Sequence, residues 1–351
     1  MRLRWFNVLA ALALFAGVIC LQPTRAWAQS PAAPDLNILG FGDWGLDSPD
    51  RTQVANAMAA YAAKMPRTFD CALSLGDNFY VPLKSADDPQ FQTLFEKTYD
   101  ITRMNFPFYA LLGNHDYDDL DGHIKSEWEM AYSVKNPTSR FKMPAKWYRL
   151  DLPADHPLIT ILMLDSNKDN GKSASLTPAE WTTELQWINT ELSGPRAAWT
   201  MCCAHHTVYS NGDHGDNGVL VQQWGSLFEK YKVDFYLSGH DHSLQHIEPG
   251  TFTSYVCSGG GGAARKAMLR DDRGPYSRAV DGFATLEFQP GEAIVQLLDA
   301  DGKPLHVFTR TKAGVVTVTL NTPSEPRTTQ PLKLIQGFDV PPTPIATQPA
   351  K

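Results

Sequence analysis

Five times in this sequence an apolar run of strand length ends in glycine or alanine, and Asp, Asn or His follows at once. Leu36–Phe41 leads into Gly42-Asp43-Trp44-Gly45, Phe69–Leu75 into Gly76-Asp77-Asn78-Phe79-Tyr80, and Phe106–Leu112 into Gly113-Asn114-His115-Asp116. Trp199–Ala204 runs into His205-His206, and Val233–Leu237 runs through Ser238 into Gly239-His240-Asp241-His242. In open α/β sheets, ligands gather at such strand ends, where glycine lets the chain turn tightly. Taken alone, an Asp after a strand is usually a helix cap or part of a turn. Five such segments together point to one site.

Donor type says what that site holds. Asp43, Asp77, Tyr80 and Asn114 offer oxygen, and His205, His240 and His242 offer imidazole nitrogen. Seven ligands are too many for one tetrahedral zinc and suit two ions sharing a bridging carboxylate. Without cysteine among them, a structural zinc or an iron–sulfur centre is disfavoured. A phenolate is a hard anionic donor matched to a ferric ion, so Tyr80 biases one position towards Fe³⁺. His115 adjoins Asn114, which can seat its ring beside the metals without binding them. That is the place for a general acid.

The remaining pattern sets the fold class. Further strand-like runs are Leu158–Leu164 and Thr253–Cys257, and helices alternate with the strands. Asp88-Pro89 opens one helical pattern through Phe91, Leu94, Phe95 and Thr98. Thr177-Pro178-Ala179-Glu180 is a capping box before Trp181, Leu185, Ile188 and Leu192, and Val219 to Tyr231 forms a third helix. This alternation predicts an α/β protein with largely parallel central strands. Phe283–Phe288, Ala293–Leu298 and Leu305–Thr309 then alternate without helices, with a hairpin turn at Asp299-Ala300-Asp301-Gly302.

The ends of the chain read differently. Arg2 and Arg4 precede an apolar stretch from Val8 to Leu21, and Ala26-Trp27-Ala28 follows. The run is shorter than the ~20 residues a membrane span needs, so residues 1–28 are expected to be a secretory signal peptide. A lipid anchor at Cys20 would want a smaller neighbour than Ile19. The expected catalytic domain is 29–322, and 323–351, rich in Pro and Thr, is expected to be poorly ordered. Export, to a periplasm or the outside, makes disulfides permissible. Cys71, Cys202, Cys203 and Cys257 nevertheless lie in strand-like runs and suit buried thiols, although one bridge is possible. The chain carries 31 Lys and Arg against 38 Asp and Glu, for a net charge of −7. Binding to nucleic acid or an anionic membrane through charge is therefore not expected, and any phosphate must be neutralised locally.

These motifs, with Ser243-Leu244-Gln245 after the last, resemble those of the calcineurin-like metallophosphoesterases. Within them the sequence looks most like the small, tartrate-resistant mammalian type of purple acid phosphatase. Tyr80 in the second motif separates purple acid phosphatases from most other metallophosphoesterases, and Glu184-Leu185-Gln186-Trp187 and Asp301-Gly302-Lys303-Pro304-Leu305 also have counterparts in the family. The resemblance implies a two-sheet β-sandwich flanked by helices on both sides. It implies a ferric site at Asp43, Tyr80 and His242, a divalent site (Fe²⁺, Zn²⁺ or Mn²⁺) at Asn114, His205 and His240, and Asp77 bridging. His214 matches a second histidine outside the ligand set, one that holds substrate or helps protonation; its plainer reading is a solvated loop residue.

The implied activity is acid phosphatase action on small phosphate monoesters, with metal-activated hydroxide as nucleophile and His115 as general acid. A phosphodiesterase or nucleotidase on the same site is the alternative. A non-hydrolytic metal- or phosphate-binding protein, or an iron redox protein, is more remote. This sequence departs from the family at Ala204-His205-His206-Thr207, where Gly-His-x-Pro is usual, so His206 either supports His205 or competes for its role. The segment Asn167 to Ser175 lies where mammalian-type enzymes carry an inhibitory loop. Gly259-Gly260-Gly261-Gly262 either lets backbone approach a bound phosphate or is a flexible turn.

Overall fold

A computed structural model describes residues 35–324 apart from 118, 121–122, 169–174 and 264–267, with 119–120 and 123–124 described as backbone only. The expected signal peptide, residues 325–351 of the tail, and the middle of the Asn167–Ser175 segment lie outside the described residues. Among the described residues no helix is long and apolar enough to cross a membrane.

The strands, in chain order, are β1 (Leu36–Phe41), β2 (Cys71–Ser74), β3 (Phe108–Ala110), β4 (Asp119–Leu120), β5 (His123–Ile124) and β6 (Phe141–Lys142). Then come β7 (Tyr148–Leu152), β8 (Ile159–Met163), β9 (Trp199–Cys203), β10 (Phe235–Ser238), β11 (Leu244–Ile247) and β12 (Ser254–Ser258). The last are β13 (Tyr276–Arg278), β14 (Gly282–Phe288), β15 (Glu292–Asp299), β16 (Pro304–Thr311) and β17 (Val316–Asn321).

Two mixed sheets result. One has the order β17-β16-β15-β14-β1-β2-β3-β6 and the other β13-β11-β12-β10-β9-β8-β7, while β4 and β5 pair separately. Strands β1, β2, β3 and β6 run parallel, as do β8, β9, β10 and β12. Antiparallel strands extend both sheets. The ligand-rich turns thus follow the central parallel strands, which are buried on both faces and therefore read as continuous apolar runs.

Alternation along these strands builds the layers. Ile38, Leu73, Ile161, Met201, Cys203 and Leu237 meet in a core between the sheets. Residues one position away face outward. Phe41 and Ala72 pack beneath helix α1 (Pro49–Ala62) with Val54 and Met58. Cys202 and Leu162 pack against helix α3 (Pro178–Ser193) through Trp181 and Ile188. With helix α2 (Lys125–Lys135) on the first side, the layers run α/β/β/α. Cys202 and Cys203 point to opposite faces as period-2 geometry requires, and Cys71, Cys202, Cys203 and Cys257 are all buried and unbridged.

The capping box forms as expected: the Glu180 N–H donates to Thr177 Oγ1 at 3.2 Å, and the Thr177 N–H to Glu180 Oε2 at 2.9 Å. The pattern after Asp88-Pro89 departs from expectation. It forms a short, wider π-type turn over Phe91–Glu96 rather than an α-helix. Phe91 stacks on Tyr132 at 3.9 Å, and Phe95 packs edge-on against Phe141 and Phe108. Aromatic packing of this kind overrides a local helical preference. The Val219–Tyr231 helix likewise widens between Val221 and Gly225 and stops at Lys232, whose φ is 53°.

Truncation in the inter-sheet core and loss of the cap should separate in a denaturation experiment. Ile161→Ala, at a fully buried position, should cost about 2–5 kcal/mol. Thr177→Ala should cost about 1 kcal/mol. Urea midpoints at constant slope check both.

Candidate metal centre

Three of the turns hold their metal-type residue in a conformation that ordinary residues avoid. Asp43, Asp77 and His240 have φ of 61°, 52° and 70°. Such left-handed residues cost of order 1–3 kcal/mol each and cluster where surrounding structure fixes a functional side chain. Here the surroundings are other turns at van der Waals range. A Cβ on Gly113 would lie 2.2 Å from the backbone nitrogen and Oδ1 of Asp77, and one on Gly239 would lie 2.6 Å from Asp43 Oδ2. The Gly259–Gly262 run belongs to the same packing. Gly259 abuts Asp43 Oδ2 and the Asp241 carbonyl, Gly261 abuts the Gly42 carbonyl, and Gly262, at φ 115°, abuts the Arg51 backbone. These glycines are there because turns pass too closely for any side chain.

The donors converge. Asp43, Asp77 and His242 bring one ligand atom each to within 4.8 Å of one another. Tyr80 Oη lies 3.1 Å from His242 Nε2 and 3.4 Å from Asp43 Oδ1. On the other side, His205 Nε2 is 3.0 Å from Asn114 Oδ1, 3.2 Å from His240 Nδ1 and 3.3 Å from Asp77 Oδ1. Spacings of 3.0–3.4 Å are those of neighbouring ligands around an ion bound at about 2.0–2.2 Å. Asp77 is the member common to the two groups. His205 Nδ1 is 2.8 Å from the Leu75 carbonyl, which fixes the ring and leaves Nε2 facing the other donors.

The charges suit a cation. Burial pushes the Tyr80 phenol well above its ordinary pKa, and the Asp77 and Asp43 carboxylates push it further. Burial opposes a proton on His205, but Asp77 and Asp43 override it and raise the ring to about 9. Burial would also raise Asp77, yet the charges of His205 and His115 bring its pKa down. Without an ion, His205 and Tyr80 hold their protons beside an ionised Asp77. A bound cation inverts that balance.

The other histidines flank this set. The His115 ring lies 4.4 Å from that of Tyr80, and its backbone N–H donates to Asp77 Oδ1 at 2.8 Å. His214 stacks on His240 with centroids 3.9 Å apart. His206 turns aside: its Nδ1 is 2.8 Å from Ser166 Oγ, and burial together with His205 lowers its pKa to about 3.

A family model for the calcineurin-like phosphoesterases matches residues 36–244. The chain belongs to that family. Tartrate-resistant acid phosphatase type 5 of Sus scrofa is 32% identical over 308 residues, covering 80% of this chain and 88% of that one. Among solved structures, the purple acid phosphatase PPD1 from yellow lupin (Lupinus luteus) is 18% identical with a TM-score of 0.60, over 84% of this chain and 57% of that one. GAP50, the anchor in the inner membrane complex of Plasmodium, reaches 0.65 at 18% identity, over 83% and 90%. Likenesses at that identity show the fold alone, so function must be argued from the site. The family implies a binuclear metal centre, and the two converging donor groups fit one.

Buried carboxylates outside the donor set hold these turns in place, a role absent from the motif pattern. Asp116 accepts the backbone N–H groups of Gly113 at 2.8 Å, Phe79 at 3.0 Å and Asn78 at 3.2 Å. Asn78 in turn donates to Glu129 Oε2 on α2 at 2.9 Å. A second buried pair sits after β8, where the Asp165 N–H donates to Glu184 Oε1 at 2.7 Å and Tyr117 to Asp165 Oδ2 at 2.6 Å. Only Asp165, directly after the apolar run Leu158–Leu164, carried a signal, since an acid next to a buried strand needs partners.

Two predictions follow from this geometry. Gly113→Ala drives a methyl group into the Asp77 backbone, so the purified variant should keep its far-ultraviolet circular dichroism but lose bound metal, as elemental analysis would show. For the second pair, burial raises Asp165 to about 6 and Glu184 well above its ordinary value. Carboxyls with raised folded-state pKa hold protons that the unfolded chain releases, so they stabilise less as pH rises from about 4 through 6. The Tm of Glu184→Gln minus that of the wild type should therefore grow between pH 4 and 8.

Proposed function

We propose that this protein is an exported binuclear acid phosphatase of the purple type that hydrolyses phosphate monoesters. Asp43, Tyr80 and His242 would hold Fe³⁺; Asn114, His205 and His240 would hold Fe²⁺, Zn²⁺ or Mn²⁺; and Asp77 would serve both ions. The observation that carries this reading is the phenol of Tyr80 within 3.4 Å of both Asp43 and His242, since its phenolate form beside a carboxylate and an imidazole makes a hard, anionic ligand set that suits a ferric ion. Bound there, the two ions supply Lewis acidity towards phosphate and water.

The chain's own residues do the rest. The backbone bond from His115 to Asp77 and the ring contact with Tyr80 set the His115 imidazole beside the Tyr80 side of the donor set. From there it would protonate the departing alkoxide. His214, stacked on His240, would meet the phosphate from the opposite side. Neutral His206 would pack against His240, whose ring centroid is 4.4 Å away, and keep it in place. The apolar run from Val8 to Leu21, with Ala26-Trp27-Ala28 after it, supports export.

The decisive experiment is metal analysis with a visible absorption spectrum on the purified protein. Two metals per chain, one of them iron, with a broad band that Tyr80→Phe abolishes, are expected; two colourless divalent ions would demote Tyr80. His115→Ala should retain both metals and lose about 10²–10⁴-fold in kcat. A monoester should be cleaved faster than a bis-ester of the same leaving group. The reverse order would make the enzyme a diesterase.

A further inference from the structure

Asp241 lies between two residues of the donor set, yet its carboxylate turns away from both. It is buried, with a side chain only 2% exposed, and its two oxygens have separate tasks. Oδ2 accepts from the Ser210 hydroxyl and from Gln245 Nε2 at 3.2 Å. Gln245 is itself pinned: its Nε2 donates to Ser210 Oγ at 3.0 Å and its Oε1 accepts the Asn211 N–H at 2.8 Å. Gly212 passes so close that a Cβ there would sit 2.6 Å from Oδ2. This cage fixes the carboxylate and aims Oδ1 at one partner, His214 Nδ1, at 2.6 Å.

We propose that Asp241 is a positioning residue for His214, a role that rests on the phosphatase reading above. An acceptor on Nδ1 holds a proton on that nitrogen and locks the ring plane. The ring so held is stacked 3.9 Å from that of His240, beside the donor set. Asp213, 3.6 Å from Nδ1, is beyond hydrogen-bond distance and one-third exposed. The dyad explains how a residue on a glycine-flanked loop, with a side chain 28% exposed, holds one orientation. Asp241 does nothing to substrate itself and acts only through the imidazole.

The test is a double-mutant cycle on the metal-loaded full chain with Asp241→Asn, His214→Ala and the pair. Metal content and visible band should be unchanged in all three. Asp241→Asn should lower kcat about 10–100-fold with a smaller change in KM. In the His214→Ala background the same change should cost less than about twofold. Multiplying losses in the double variant, or an Asp241→Asn enzyme as fast as wild type, would overturn the role. Should Asp241→Asn lose metal or fail to fold, ¹⁵N shifts of the His214 ring in the metal-free wild type decide independently. A proton on Nδ1 supports the proposal and a bare Nδ1 sinks it. A wild type with two metals but no monoesterase activity would instead refute the phosphatase reading, leaving the ring shifts to judge the dyad.

Discussion

The carboxylate of Asp77 is the point on which the strand ends close. One of its oxygens receives the His115 N–H and faces the His205 ring, and its carbonyl receives the Gly45 N–H at 3.1 Å. Its own backbone is left-handed, and Gly113 crosses directly against it. Turns after β1, β2, β3 and β9 therefore meet at one residue. The arrangement carries backbone strain at three positions, which an isolated loop would relax. It persists because each turn is the end of a buried strand, and a close-packed sheet does not yield.

Beneath that meeting point runs a polar network inside an apolar core. Asp116 collects three backbone amides from two turns, Asn78 links it to Glu129, and Lys125 Nζ donates to the Phe79 carbonyl at 2.7 Å. Burial, and then the charge of Asp77, raise Asp116 to about 6, while burial and Asp116 raise Glu129 well above its usual value. Apolar residues would fill this volume at lower electrostatic cost. They would not fix turn conformations, because only hydrogen bonds to particular N–H groups do that. The network fastens α2 to the turns after β2 and β3.

The central strands and their terminal residues were legible because a strand buried on both faces must be an unbroken apolar run, and because glycine punctuates its end. β1 and β9 start where the periodicity places them, and β14 to β16 follow their alternation. What escaped was structure decided at a distance. β7, β11, β13 and β17 lie on the antiparallel flanks, where polar residues such as Arg149, Gln245, Ser277 and Thr317 interrupt the pattern and pairing with a neighbour makes the strand. The turn at Phe91–Glu96 was set by Tyr132 and Phe141, far along the chain. Asp116 and Asp241 stood in the recognised motifs. Their roles depend on which way a carboxylate turns, and a sequence does not record that.

The distribution of donors between the sheets has a thermodynamic consequence. Asp43, Asp77, Tyr80 and Asn114 follow strands of the larger sheet, whereas His205, His240 and His242 follow β9 and β10 of the other. Each of the two donor groups therefore draws on both sheets, across the seam filled by Ile38, Leu73, Met201 and Leu237. An ion held in either group ties the layers together at the end of the core where the strands have run out and apolar contacts cease. Because ions bind this folded arrangement and not the open chain, their binding energy adds to the cohesion of the sandwich. Inter-sheet packing, in turn, sets how closely the donors meet. The centre and the core beneath it are thus one cooperative object, and strain at Asp43, Asp77 and His240 is tolerated because both ends of that object hold it.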